Sequence, residues 1–171
     1  MFLESIKVLN VDMCVKQPGT FAAFTRASAD VREVMPYLNS MFKSANYNHD
    51  GNSITFRNDK VEFSIIEDRI NVARFANRTE LHERLDWVKD LINDTYDSIR
   101  ELTPRYDARK PVPVLSIYAL LPRTNCRRCG EKSCMAFASL LHKLEAEIEN
   151  CPPLTEGTYE ENRLKLEKAF D

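Results

Sequence analysis

Four glycines in 171 residues leave no glycine-rich loop that could cradle a phosphate, which removes P-loop and dinucleotide chemistry from consideration. Histidine is equally scarce, with single copies at His49, His82 and His142. His49 falls in a polar loop, His82 opens a helix and His142 lies inside another, so each reads as a surface or capping residue. Neither an HExxH zinc motif nor a Ser/His/Asp grouping is present. No apolar run approaches the ~18 residues of a membrane span. The opening MFLESIK lacks the basic-then-apolar design of a secretion signal. A cytoplasmic chain that does not span a membrane is therefore expected. The net charge of -2 gives no reason to expect nucleic acid or an anionic membrane as partner. Internal repeats and low-complexity segments are absent too. What is left has 43% hydrophobic and 29% charged residues, the balance of a soluble globular protein. Its length suits one domain, or a domain of about 100 residues with a small satellite.

Hydrophobic periodicity predicts an α+β first part. Residues 2–16 read as a long strand, bent near Asn10-Val11-Asp12, and Phe21 to Arg26 as its return after the Pro18-Gly19 turn. Ser28 or Asp30 can cap a helix through Val31, Val34, Met35, Leu38, Met41 and Phe42, with Pro36 either in its first turn or kinking it. Residues 46–52 read as a loop. Three short strands follow, at 53–57, 60–66 and 69–75, joined by the tight pairs Asn58-Asp59 and Glu67-Asp68. From Asn77 or Thr79, Leu81, Leu85, Val88, Ile92, Thr95, Ile99 and Leu102 recur at helical spacing until Pro104, a helix of about 35 Å. It is expected to pack across its own sheet rather than to form a coiled-coil seam. The order is thus β-β-α-β-β-β-α over residues 1–103. Asp86, Asp90, Asp94 and Asp97 on the long helix read as a solvated stripe.

Three prolines stiffen residues 104–113 into a predicted linker. Residues 114–171 then form a small, mainly helical lobe. Val114 to Leu121 is apolar, with helix or strand undecided. Ser133 or Lys132 opens a helix to 149, ended by Pro152-Pro153, and Thr158 with Glu161 fits a capping box before a last charged helix.

The lobe carries four of the five cysteines, as Cys126-x2-Cys129-x4-Cys134-x16-Cys151. Thiolates this close repel one another unless a cation lies between them, so the spacing asks for a metal. In a reducing cytoplasm that reading displaces a disulfide framework. Zinc with four cysteines usually takes two C-x2-C pairs; here the third and fourth ligands are single. That arrangement suits a bulky iron–sulfur cluster better than one tetrahedral ion, with zinc as the alternative. Cys134 falls in the first turn of its helix, and Gly130 can supply a backbone twist beside sulfur. Arg123, Arg127, Arg128 and Lys132 crowd the same loop. They form a solvated basic patch, or they stabilise a reduced, more anionic cluster, or they dock an acidic redox partner. Cys14, alone among apolar neighbours, reads as a buried inert thiol.

The flanking residues carry a resemblance. Leu121-Pro122-x-Thr124-Asn125 leads into Cys126, Gly130 follows the second cysteine, Met135-Ala136-Phe137-Ala138 follows the third, and Cys151-Pro152-Pro153-Leu154 closes the stretch. The pattern resembles the four-cysteine [4Fe-4S] domain of the corrinoid iron–sulfur protein of the acetyl-CoA pathway. The same domain occurs in the B subunit of membrane-bound ferredoxin-oxidising complexes. Residues 1–103 resemble the leader domain of small uncharacterised iron–sulfur proteins of anaerobes, which implies no activity. The resemblance implies one [4Fe-4S] cluster on Cys126, Cys129, Cys134 and Cys151. It also implies one-electron transfer in an anaerobic cytoplasm, to a corrinoid or another low-potential centre. The sequence has no corrinoid-binding domain, so that acceptor is expected on a partner chain. The loop here is more basic than in the domains it resembles, so neither potential nor partner carries over with the ligands. An electron-transfer component is expected rather than a stand-alone enzyme. The alternative is a metal-stabilised interaction module without redox activity.

Overall fold

Val61, Phe63 and Ile65 are apolar at every second position, which turns all three to one face of a strand. The computed structural model describes residues 1–170; the last residue of the predicted four-cysteine domain, 171, lies outside them. It builds a six-stranded antiparallel sheet in the order β1-β2-β6-β5-β4-β3, from β1 (Ile6–Met13), β2 (Phe21–Ala27), β3 (Asn46–Asn48), β4 (Ser53–Asn58), β5 (Val61–Ile66) and β6 (Arg69–Phe75). Two helices in this unit, α1 (Met35–Met41) and α2 (Arg78–Asp97), share one apolar core with it. Ile54, Phe56, Phe63, Ile65, Ile70 and Val72 from the strands meet Leu38, Val88 and Ile92 from the helices, all fully buried. The architecture is α+β, as expected. The chain divides into two units, Met1–Arg109 and Lys110–Asp171.

Where the first unit departs from expectation, a competing bond explains it. The first strand begins at Ile6 rather than at residue 2. The Leu3 N–H donates to Asn93 Oδ1 of α2 at 2.7 Å, and Asn93 Nδ2 donates back to the Leu3 carbonyl at 3.0 Å. That buried amide claims the backbone groups a sheet would need. The bend is a bulge, with a register shift between Val8 and Asn10. β3 was expected as loop; only Tyr47 of its three residues points inward, too little alternation to register. Pro36 lies in the first turn of α1, after a 3-10 turn at Arg32–Val34 whose Arg32 N–H is accepted by Asp30 Oδ1.

The long helix starts at the expected cap, Asn77, whose side chain accepts the Glu80 N–H. It stops at Asp97, so it runs about 30 Å. Its last turn holds no basic residue, and Asp94 and Asp97 face the negative end of the helix dipole. Ile99 and Leu102, expected on its apolar seam, lie in the turns that follow. Residues 105–109, the first half of the predicted linker, are tied to α1. The Arg105 N–H donates to the Pro36 carbonyl at 2.9 Å, and the buried Asn39 amide donates to the Arg105 and Asp107 carbonyls.

Glu62 is a largely buried carboxylate held among three cations. Its carboxylate meets Lys16 at 2.8 Å, Arg57 at 3.6 Å and Arg74 at 3.8 Å, with a side chain 12% exposed. Burial alone would raise its pKa. The Lys16 hydrogen bond and the charges of Lys16, Arg74 and Arg57 outweigh that, and hold it below the ordinary carboxylate value. A carboxyl whose folded pKa is depressed stabilises the fold above its unfolded pKa, near 4.3, and loses that contribution as pH falls through the lowered value. Urea melts followed by Trp87 fluorescence should therefore show the first unit weakening as pH falls below about 4. Glu62→Gln should lower stability at neutral pH and flatten the acid loss.

The second unit contains α3 (Val114–Leu120), α4 (Cys134–His142), a 3-10 turn at Ile148–Asn150, α5 (Pro152–Thr155) and α6 (Glu160–Phe170). Its core is Ile117, Leu121, Phe137, Ala138, Leu141, Ile148, Cys151, Leu154 and Leu166. Asn162 Nδ2 donates to the Leu120 carbonyl at 3.0 Å and ties α6 to α3. His142 Nδ1 lies 2.8 Å from the Val112 carbonyl, at the end of α4.

Three expectations change here. The helix predicted to reach residue 149 ends at His142, because Leu144 turns left-handed at φ 55. The Leu144 N–H then bonds the Leu141 carbonyl and the Glu145 N–H the Leu140 carbonyl, which closes the end. Pro152 and Pro153 begin α5 rather than stop a helix; a first turn has no use for the N–H that proline lacks. The capping pair Thr158 and Glu161 does not open α6 as predicted, since Thr158 stands two residues before its first residue, Glu160. Among the described residues, no helix is long and apolar enough to cross a membrane.

Candidate metal centre

Three backbone devices shape the segment that carries the first three cysteines. Arg123, Asn125 and Arg127 have φ of 57, 49 and 60, and Gly130 has φ 86. Four left-handed residues within eight positions curl the chain tightly, and such curls turn backbone N–H groups toward a common centre. For a residue with a Cβ this conformation costs about 1–2 kcal/mol, and strain of this kind gathers at functional sites. The third device is the start of α4. Ser133 Oγ accepts the Ala136 N–H at 3.1 Å, and Asn125 Oδ1 accepts the Cys134 N–H at 2.9 Å. Asn125 thereby links the lead-in before Cys126 to the third cysteine.

Cys126 is exposed on this loop, Cys129 and Cys134 are half-buried, and Cys151 is buried. Cys129 and Cys134 pack against the apolar core to which Cys151 itself belongs. The 3-10 turn and α5 bring the fourth cysteine back. The Leu154 N–H of α5 bonds the Cys151 carbonyl at 3.0 Å. All five cysteines are free thiols, and Cys14 is buried in the first unit, as expected.

Burial and charge set the four thiols apart. Burial pushes the Cys151 thiol above its usual pKa, against a hydrogen bond from the Leu154 N–H, and the charges of Cys129, Cys134 and Cys126 push it further. The Arg128 N–H does the reverse at Cys126, helped by the Thr124 side chain and the Arg128 charge. One thiol of the set is thus primed to ionise, while another resists ionising unless a cation arrives to share its charge. Among the described residues, no group of three or more His, Cys, Asp or Glu side chains stands ready to hold a metal ion. The thiols lie within range of one another's charge without closing on a point. The donor set itself fits an iron–sulfur cluster: soft sulfur ligands on an apolar floor, under a loop rich in backbone N–H donors.

The predicted neighbours sort into three kinds. Gly130 donates its N–H to the Arg127 carbonyl at 3.0 Å. A Cβ built on Gly130 would meet nothing within 4 Å. The expected close approach to sulfur is therefore not what requires glycine here; its positive φ is. Gly130→Ala should accordingly cost about 1–2 kcal/mol through the backbone alone. That loss should appear as a lower melting temperature of the second unit, with iron binding retained. Arg128 stands beside the thiols and pairs with Glu156. Arg127 and Lys132 are exposed and have no ion pair among the described residues. Sequence reasoning missed Glu156 and the role of Asn125. No local pattern signals Glu156, which lies 28 residues from its partner. Asn125 was visible only as part of the Thr-Asn lead-in.

Residues 121–153 match the family model described as "Putative Fe-S cluster". Curated relatives match about a third of the chain or less. It is 47% identical over 57 residues to the acetyl-CoA decarbonylase/synthase complex subunit gamma of Methanocaldococcus jannaschii, covering 33% of this chain and 12% of that protein. For the subunit gamma of Methanothermobacter thermautotrophicus the figures are 45% over 59 residues, 34% of this chain and 12% of that protein. For that of Methanosarcina acetivorans they are 52% over 40 residues, 23% and 8%. The chain thus spans about an eighth of the length of the first two relatives. No solved structure matches it. An iron–sulfur cluster is the cofactor that these matches support, and metal binding is the shared property of the segment.

Proposed function

We propose that this chain is an electron-transfer component that binds one [4Fe-4S] cluster through Cys126, Cys129, Cys134 and Cys151. The observation that supports the reading is that residues 121–153, which match an iron–sulfur family model, hold all four thiols, three of them on or beside a strained loop and the fourth in the apolar core behind it. When bound, a cluster of this kind supplies one-electron exchange at low potential. The chain's own residues do the rest. The thiolates hold the irons, and backbone N–H groups of the 123–130 loop donate toward sulfur. Phe137, Leu141 and Leu154 keep water from the inner side. Cys126 is the exposed member of the set, the edge at which a bound cluster would exchange an electron.

The gamma subunits that it resembles belong by name to an acetyl-CoA decarbonylase/synthase complex, and this supports a protein partner. We place the acceptor on that partner, as a corrinoid or another low-potential centre, in an anaerobic cytoplasm. Residues 1–103 are proposed to fold independently of the four-cysteine domain at 114–171. A second reading is favoured by one observation. Cys151 belongs to the apolar core of a unit of only about 60 residues, a size at which a metal often supplies missing stability. On that reading the metal, a cluster or zinc, holds an interaction surface and carries no electrons.

Anaerobic preparation of the full chain tests both. The first reading expects a brown protein with about four irons and four sulfides per chain and an S = 1/2 signal after dithionite. A cluster that never changes oxidation state would leave the second reading, as would one zinc in colourless protein. Protein that takes up neither metal would sink both.

A further inference from the structure

Of the cations near the four thiols, one is fixed. Arg128 stands two residues after Cys126 and one before Cys129. Its Nη1 donates to Glu156 Oε2 at 2.8 Å, and its Nη2 donates to the other carboxylate oxygen, a two-pronged pair. Glu156 caps the end of α5, the helix that begins directly after Cys151. One guanidinium therefore spans the loop that bears two cysteines and the arm that returns the fourth. Both thiols, Cys126 and Cys151, act electrostatically on it.

Arg123, Arg127 and Lys132 differ in this respect. They are exposed, as Arg128 and its half-exposed partner Glu156 also are, but they have no ion pair among the described residues. A long side chain free in water spreads its charge over many positions and is screened there. A planar fork gripped at both prongs keeps its charge in one place.

We propose that Arg128, aimed by Glu156, is the cation that sets the reduction equilibrium of a cluster bound at Cys126, Cys129, Cys134 and Cys151. This rests on the cluster reading above. Reduction adds one electron from an external donor to the bound irons. No bond to the chain forms or breaks, and no proton moves. The negative charge at the four thiolates rises by one unit, and a fixed guanidinium beside two of them favours the form with that extra charge. Glu156 is a positioning residue: it touches neither thiol nor iron, and acts by holding the fork.

The test is an anaerobic redox titration of the full chain, reconstituted with iron and sulfide, poised with dithionite and read by the S = 1/2 signal. Arg128→Gln should keep its iron and lower the reduced-to-oxidised ratio about threefold at fixed solution potential. That is about 28 mV at 59 mV per tenfold for one electron. Arg127→Gln and Lys132→Gln should each shift it less. In a Glu156→Ala background, adding Arg128→Gln should produce less than half that shift, because the guanidinium has already lost its aim. An unmoved midpoint in Arg128→Gln would overturn the inference, as would an equal shift in Arg127→Gln. Loss of iron in Arg128→Gln would also overturn it, by making the pair a structural clasp. An equal shift in both backgrounds would remove Glu156 from it. Wild-type protein that binds no cluster would instead defeat the underlying reading, a result distinguishable from all of these.

Discussion

Cys129→Ala should strip the chain of iron while the β-sheet unit stays folded. Cys129 sits against the same apolar core as Cys151, so its loss removes a ligand and also a reason for the loop to remain in place. Metal affinity in small sites is also folding free energy, and alanine leaves three thiolates to share their repulsion. Anaerobically prepared Cys129→Ala should fall from about four irons per chain to almost none, with faster hydrogen exchange at the amides of α4. The lone tryptophan, Trp87, reports the other unit, and its fluorescence melt should not move. Cys14→Ala, by contrast, should keep all the iron. Iron retained in Cys129→Ala, or lost in Cys14→Ala, would show that the wrong sulfurs have been chosen. A Trp87 melt that collapsed with the iron would show that the first unit cannot stand alone.

Phe63→Ala should strongly destabilise the first unit. Phe63 is fully buried, its ring centre 5.4 Å from that of Phe56 and 5.3 Å from that of Trp87. Phe42 stacks on Phe56 at 4.5 Å and meets Trp87 edge-on at 6.2 Å. Four aromatic side chains from α1's end, β4, β5 and α2 thus form one packed cluster where sheet and helices meet. Removing a buried phenyl group costs about 3–5 kcal/mol, the transfer energy plus the cavity left behind. Domains of this size have about 5–15 kcal/mol in all. Urea denaturation read at Trp87 should show the midpoint falling by a third or more, while iron content, set in the other unit, holds. A shift below about 1 kcal/mol would mean that the site collapses around the gap.

Both outcomes follow from features that differ in how plainly the chain displays them. β5 and β6 were legible because Val61, Phe63, Ile65 and Ile70, Val72 alternate without interruption. The start of α2 was legible because Asn77 is a strong cap. Its end was not, because apolar spacing continues through Ile99 and Leu102 after the backbone has already turned. β3 was hidden by its asparagines, since a strand held by one inward tyrosine shows no period. In the second unit the cysteines were conspicuous as candidate ligands. The path between them was not: a leucine at 144 takes a conformation usually left to glycine, so nothing marks the helix end. The Arg128–Glu156 pair joins residues 28 apart, a distance over which side-chain patterns carry no information. Contacts made by tertiary packing, rather than by local preference, were the ones that reading along the chain could not supply.

The left-handed residues at 123, 125 and 127 bear on how this protein could be engineered. A library selected only for heat resistance should gather glycine at all three, since each exchange relieves a cramped backbone. The winners would be hardier and worse at their task. A hinge-like ribbon of glycines has no preferred curl, and would have to be gathered afresh each time a cofactor was loaded. The curl at these three residues persists because the contacts around it, such as the Asn125 side chain on the Cys134 N–H, outweigh its strain, and side chains there leave the loop fewer conformations than glycines would.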